Sequence, residues 1–210
     1  MIYVVMRAAV RVVAWIVLGR RLRIEGLERI PRRGAALIVG NHVGTVDPVL
    51  LGIHIARFDV FYMAKSELFR NPALGWLFRR CHVFPVVRDS PDRGALRAAL
   101  RHLDSGHVLL VYPEGTRSAD GRVQQAHPGA GFIARHSGVP IIPVASWGSE
   151  RVLPKGAWLP RRADVHQRIG EAFQLPERGA DGRPLGNRAA VELMMARVAA
   201  LLPSSAHPAA

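Results

Sequence analysis

Five short apolar runs, each followed by a longer stretch with helical spacing, constrain this chain more than any other feature. The runs cover residues 35–39, 60–63, 83–87, 108–112 and 141–146. Each is too short for a stable helix and is rich in Val, Ile and Leu, which marks a strand buried on both faces. The segments between and after them, residues 48–56, 66–80, 92–104, 129–136 and 188–202, read as helices. Strand then helix, repeated, predicts a single α/β domain: a mixed, mostly parallel sheet flanked by helices. In such sheets the chemistry gathers on loops at strand ends, so those loops are examined first.

The chain of 210 residues is long enough for one domain with a substantial core, and its 49% hydrophobic content excludes a wholly disordered protein. Cys81 is the single cysteine, so there is no internal disulfide, and its thiol is expected to pack as a small hydrophobe. The nine histidines form no H-E-x-x-H or Cys/His ligand set, and no metal is expected. The formal charge of +13 favours anionic partners: nucleic acid, anionic lipid headgroups, or an acidic carrier protein. Charge alone does not choose among them, because nearly all the excess is arginine.

Residues 2–18 are almost wholly apolar, interrupted by Arg7 and Arg11. No small-residue cleavage site follows; the run meets Gly19-Arg20-Arg21-Leu22-Arg23, which argues against an export signal. At 1.5 Å per residue this helix is about 25 Å long, short of the roughly 30 Å hydrocarbon core. Its Val, Ile and Leu residues contribute roughly −4 kcal/mol to insertion, while two central arginines cost about 5–7 kcal/mol, so spanning is disfavoured. Arg7 and Arg11 lie one turn apart and share a face. Residues 1–23 are therefore expected to form an amphipathic helix lying in a membrane interface, with Trp15 at headgroup depth and Arg20, Arg21 and Arg23 on lipid phosphates. An ordinary helix docked on the core is the competing reading. A main domain at 24–202 and a frayed tail at 203–210 complete the expected organisation.

Two loops carry the chemistry. The first is Asn41-His42-Val43-Gly44-Thr45-Val46-Asp47-Pro48, leaving the strand that ends near Val39. Asp47 before Pro48 has the form of a helix start, Asp as N-cap and Pro in the first helical position. Gly44 and Thr45 supply a turn that folds His42 back toward Asp47, and a base oriented by a carboxylate suits acyl transfer to a hydroxyl. The second loop is Val111-Tyr112-Pro113-Glu114-Gly115-Thr116-Arg117-Ser118. Gly115 permits a tight turn, Arg117 offers a planar fork suited to phosphate, and Thr116 and Ser118 carry hydroxyl donors. Taken singly, Thr116 and Ser118 are better explained as a polar surface turn.

The N-H-x4-D of His42 and Asp47, followed by Pro113-Glu114-Gly115-Thr116-Arg117-Ser118, resembles the lysophosphatidic acid acyltransferase family (1-acylglycerol-3-phosphate acyltransferases). Two further blocks are similar to that family's. One runs from Lys65-Ser66-Glu67-Leu68 through Gly75-Trp76 to Phe84-Pro85-Val86-Val87-Arg88; the other is Val139-Pro140-Ile141-Ile142-Pro143-Val144. The resemblance spans residues 24–171, with the four blocks in the family's order.

The resemblance implies the fold of the glycerophospholipid acyltransferases. It implies His42 as general base on the acceptor hydroxyl and Asp47 as its orienting carboxylate. Arg88, Glu114, Gly115, Thr116 and Arg117 would form the acceptor site, the arginines reading a phosphate. The donor would be a thioester, acyl-CoA or acyl-carrier protein, with no cofactor and no metal. A thioester is already activated, so deprotonating the attacking hydroxyl is the missing step, and no covalent enzyme nucleophile is required. The acceptor implied is a lysophospholipid, first of all 1-acylglycerol 3-phosphate giving phosphatidic acid. Glycerol 3-phosphate, another lysophospholipid or a lyso amino-acid lipid are the alternatives. The expected location is peripheral, on the cytoplasmic face of the cell membrane, against an anionic lipid surface. Two departures from the family pattern stand out: His127-Pro128-Gly129, where a basic residue shortly before Gly is common, and Val87, where an acidic residue often precedes the arginine.

Other signals are weaker. Residues 129–134 match G-x-G-x-x-A, but a polar stretch precedes them instead of a buried strand, which excludes a dinucleotide site. A basic nucleic-acid-binding protein is the alternative of a different class; no zinc finger, helix-turn-helix or aromatic RNA-binding block supports it, and no nucleic-acid partner is expected.

Overall fold

The computed structural model describes residues 2–87, 92–117, 124–154, 156–179 and 181–203. Seven strands form one sheet: β1 (Leu22–Glu25), β2 (Ala36–Gly40), β3 (Val60–Lys65), β4 (Val83–Val86), β5 (Val108–Val111), β6 (Ile141–Trp147) and β7 (Val165–Ile169). Their spatial order is β1-β7-β6-β2-β5-β3-β4. Neighbours pair in parallel throughout except β6 with β7, which is antiparallel. Among the described residues the α-helices are α1 (Ile2–Val17), α2 (Asp47–His54), α3 (Pro72–Arg80), α4 (Arg93–Asp104), α5 (Pro128–Ser137) and α6 (Asn187–Ala199). The expected mixed, mostly parallel α/β sheet flanked by helices is the observed fold.

β2 occupies the centre, and every one of its residues is buried. Successive side chains point to opposite faces, so Leu37 and Val39 enter the layer built by α4, α5 and α6. There they join Ala99, Leu103, Ile133, Val191, Met194 and Val198. Ala36 and Ile38 point the other way, onto Leu51 and Ile55 at α2. A third, smaller cluster joins Val10, Ala14, Val17 and Leu18 to Leu50, Ile53, Val152 and Val165. The N-terminal helix thus packs on α2 along one stripe, while Val12, Val13, Trp15 and Ile16 on its other side stay exposed.

Arg7 belongs to the packed stripe. It is buried, its Nε donates to the Ile53 carbonyl at 3.1 Å, and its terminal nitrogens donate to the carbonyls of Ile55 and Arg57. These are the open carbonyls at the C-terminal end of α2, where a cation is favoured. Arg7 therefore does not share the exposed side with Arg11 as the helical spacing suggested, and its charge is unavailable to headgroups.

The predicted helix at 66–80 is two elements. Residues 66–69 form a short 3-10 turn, and α3 restarts where the Asn71 side chain accepts from the N–H groups of Ala73 (3.0 Å) and Leu74 (3.2 Å) ahead of Pro72. The G-x-G-x-x-A stretch lies within α5, and its function is packing: a Cβ on Gly131 would stand 1.9 Å from the Asn187 carbonyl of α6. Of the expected tail, residues 204–210 lie outside the described residues.

Candidate active site

The carboxyl ends of the adjacent strands β2 and β5, where Val39 is in register with Val111, bring the two motif loops side by side. Asn41 fixes the first loop from behind. Its side chain donates to the Ser146 carbonyl (2.9 Å) and accepts from the Ser146 N–H (2.7 Å), clasping the backbone of β6. The chain then turns at Gly44, which lies so close to the next loop that a Cβ there would be 2.6 Å from Ser149 backbone atoms.

That turn places the His42 Nδ1 3.2 Å from Asp47 Oδ2. The same oxygen accepts from the N–H groups of Val43 (2.9 Å) and Gly44 (2.7 Å). Asp47 is fully buried, whereas the His42 side chain retains 16% exposure. Asp47 does not cap the helix as its sequence context suggested. It is the first residue of α2, Val46 is the capping position without a side-chain bond, and the carboxylate reaches back to the preceding turn. The backbone of Asp47 is held as well, its carbonyl accepting from Gln167 Nε2 at 3.1 Å.

As a carboxylate, Asp47 can only accept, so the proton of this bond sits on Nδ1 and the lone pair is left on Nε2. The imidazole plane is set by Tyr112, which stacks on it at 4.6 Å between ring centroids. Burial pushes the Tyr112 phenol well above its usual range, so it stays neutral and serves as a rigid wall. The N–H groups of Val43 and Gly44 are taken by Asp47, and that of Asp47 donates to the Gly44 carbonyl at 3.1 Å. The start of α2 therefore does not present these donors to an oxyanion.

In the second loop, Gly115 adopts φ 67°, a left-handed conformation that favours glycine. The turn buries Glu114, whose Oε2 accepts from the His42 N–H at 3.3 Å. Burial raises the Glu114 carboxyl to about 7, against the opposing pull of hydrogen bonds from the backbone of His42 and Gln124. The Thr116 hydroxyl meets Gln124 Oε1 at 3.1 Å. Arg117 is exposed and donates to Thr45 Oγ1 at 2.7 Å, so its guanidinium spans from the second loop to the first. His42, Asp47, Glu114, Gly115, Thr116 and Arg117 thus converge. Arg88, expected with them, lies outside the described residues.

His42 and Thr45 stand on the wall of a cavity of about 960 Å³. The cavity continues past Met63, Leu77, Phe78, Val83, Leu96, Phe132 and Ile133, an almost wholly apolar lining, and reaches Met6 and Val10 of α1. His127, the residue that departs from the family pattern, also lines it. A base at the edge of a large apolar cavity beside a guanidinium is suited to a molecule with an anionic end and a long apolar one. Sequence reasoning missed Tyr112 as the plate behind His42 and Gln167 as a brace for Asp47. Tyr112 stands beside the motif in the sequence, but Gln167 was hidden with its unrecognised strand. Among the described residues no cluster of His, Cys, Asp and Glu is arranged to hold a metal ion.

The acyltransferase family model matches residues 21–147. A 1-acyl-sn-glycerol-3-phosphate acyltransferase of Bacillus subtilis is 31% identical over 127 residues, 60% of this chain and 63% of that protein. Its namesake in Streptococcus pneumoniae is 29% identical over 150 residues, 70% of this chain and 55% of that protein. These alignments span less than two thirds of the relatives' own lengths. The crystal structure of the 1-acyl-sn-glycerophosphate (LPA) acyltransferase PlsC from Thermotoga maritima superposes with a TM-score of 0.66 at 30% identity, covering 86% of this chain and 71% of that one.

Proposed function

The chain belongs to the acyltransferase family, and from that premise we propose that it moves a fatty acyl group from a thioester donor to the free hydroxyl of 1-acylglycerol 3-phosphate, giving phosphatidic acid. The observation that carries this reading is the His42–Asp47 pair on the wall of an apolar cavity, with Arg117 bridging to Thr45 beside it. The names of the relatives from Bacillus subtilis and Streptococcus pneumoniae point to the same acceptor.

In the proposed reaction the acceptor hydroxyl donates its proton to His42 Nε2 as its oxygen attacks the thioester carbonyl. Asp47 holds Nδ1 and stabilises the imidazolium that forms. The tetrahedral intermediate collapses, the carbon–sulfur bond breaks, and the departing thiolate takes the proton from Nε2. The products are the ester and the free thiol, and His42 returns to its starting state. A positioned base of this kind contributes about 10²–10⁴-fold. Arg117, with Arg88, is assigned to the acceptor phosphate, where a guanidinium fork pairs with two phosphate oxygens. Gly115 gives the turn that presents Glu114 and Thr116, and the apolar cavity receives acyl chain.

No helix among the described residues is long and apolar enough to cross a membrane. The exposed valines, Trp15 and Ile16 of α1 support a peripheral location, with α1 lying in the interface of the cytoplasmic leaflet and its packed stripe holding it on the domain, while Leu22 and Arg23 of the expected interfacial segment belong to β1. The net charge of +13 suits an anionic donor, CoA or an acidic carrier protein, and an anionic bilayer. The test is a panel of acceptors with one labelled acyl donor and the purified protein: 1-acylglycerol 3-phosphate, glycerol 3-phosphate, other lysophospholipids and a lyso amino-acid lipid. Fastest transfer to 1-acylglycerol 3-phosphate is expected. Preference for another acceptor would reassign the substrate, and transfer to none would overturn the reading.

A further inference from the structure

The most exposed large apolar side chain among the described residues is not on α1. Trp158 is 85% exposed and Leu159 beside it 55%. They sit on a loop closed by the Arg161 N–H donating to the Val152 carbonyl at 2.7 Å. Val152 is buried in the cluster that also holds Val10, Ala14, Val17 and Leu18, so the loop rises beside the N-terminal helix. At the same end, Val152 directly follows the turn at Ser149, whose backbone lies against Gly44 of the His42 loop. An exposed tryptophan and leucine on a surface loop cost solubility and stabilise nothing in the isolated molecule, which marks a contact surface.

The charges around the loop identify the occupant. Arg161 and Arg162 follow it directly, both exposed, and neither pairs with an acid among the described residues. The acids that flank the loop in sequence are already paired: Asp164 with Arg21 at 3.2 Å and Glu150 with Arg151 at 3.5 Å. A second copy of this chain would set these arginines against each other, which electrostatics opposes. A tryptophan beside a leucine, followed by two exposed arginines, matches the headgroup zone of an anionic bilayer: the indole at the interface, the aliphatic group in the acyl boundary, the guanidinium groups on phosphates.

We infer that the Trp158–Leu159 loop is a second membrane-insertion point, which with the exposed side of α1 seats the domain on an anionic lipid surface at two places. The proposal rests on the peripheral location given above and deepens it. Two points fix an orientation where one helix leaves the domain free to roll. The loop follows directly on the turn at Ser149–Arg151, whose Ser149 backbone lies against Gly44, so the proposed insertion point and the His42 loop are joined through that one turn.

Co-sedimentation with vesicles of mixed phosphatidylglycerol and phosphatidylcholine tests this on the full chain. The double variant Trp158→Ser, Leu159→Ser should partition at least about ten-fold less, since a tryptophan carries some 150–250 Å² of contact area. The variant Arg161→Gln, Arg162→Gln should partition about 30-fold less into the anionic vesicles and equally into pure phosphatidylcholine, at about 1 kcal/mol per arginine. Transfer to a short-chain acceptor below its aggregation threshold should be unchanged in both. Unchanged partitioning of both variants overturns the inference while leaving the enzymatic reading intact. Should the double variant fold poorly, acyl-brominated lipids decide. They should quench less emission in Trp158→Phe than in the wild-type protein; equal quenching overturns the inference. Absence of transfer by the wild-type protein would overturn the enzymatic reading alone.

Discussion

Replacing Glu114 with Gln should remove a pH dependence of stability that this one carboxyl imposes. The group sits in the turn at Gly115, 3% exposed, with its Oε2 on the His42 N–H. Burial lifts it from the usual 4.5 to about 7. The native state therefore keeps the proton at pH values where the unfolded chain has released it. Stability from this group is fully present below the unfolded value of 4.5, is lost as pH rises toward the folded value near 7, and levels off above. A shift of this size costs roughly 3 kcal/mol once both states are ionised, of which about 2–3 kcal/mol falls between pH 5 and pH 8. Gln keeps the shape and an acceptor for the His42 N–H, and it does not titrate. Urea unfolding of wild type and Glu114→Gln from pH 5 to pH 8 isolates the group, because other titrations cancel in the difference. The variant should gain on the wild type by about 2–3 kcal/mol across that interval. A flat difference would refute the assignment of Glu114 as a buried carboxyl titrating near neutrality.

Other expectations follow from single contacts. Arg117→Ala should reduce transfer to phosphate-bearing acceptors more than to uncharged ones, by about ten-fold or more for a charge-assisted pair; equal loss on both would remove its assigned role. Gly44→Ala must displace the Ser149 backbone, now 2.6 Å from the new Cβ, and should lower both turnover and Tm, with overpacking costing about 1–3 kcal/mol. Arg7→Leu strands three carbonyls at the end of α2 and should destabilise by about 3 kcal/mol or more in thermal unfolding.

Much of this architecture was legible in the residues, for physical reasons. β2, β5 and β6 are buried on both faces and so carry unbroken apolar runs, and the half-buried β3 and β4 beside them keep the same apolar character. β1 and β7 carry no apolar run because they alternate: Leu22-Arg23-Ile24-Glu25 exposes every second side chain, and Val165-His166-Gln167-Arg168-Ile169 leaves every second one half-buried. In β1 the arginine also read as part of a headgroup cluster. The break in the predicted helix at 66–80 was marked by Asn71-Pro72, a capping residue followed by a proline at the first helical position. Arg7 was beyond a helical wheel, since its partners lie about 50 residues away at the end of another helix. The two motif loops meet because they leave the adjacent strands β2 and β5. The direction of the Asp47 carboxylate was not legible in the residues, because Asp before Pro suits a cap equally well, and only the fold of the turn at Gly44 decides between them.

In the proposed reaction His42 removes the proton from the acceptor hydroxyl while Asp47 holds the imidazole in place. The most direct test is acyl transfer to 1-acylglycerol 3-phosphate by His42→Ala, with Tm measured on the same preparation. A loss of about 10²–10⁴-fold or more is expected, with the protein still folded. Turnover near that of the wild type in a folded His42→Ala protein would contradict it.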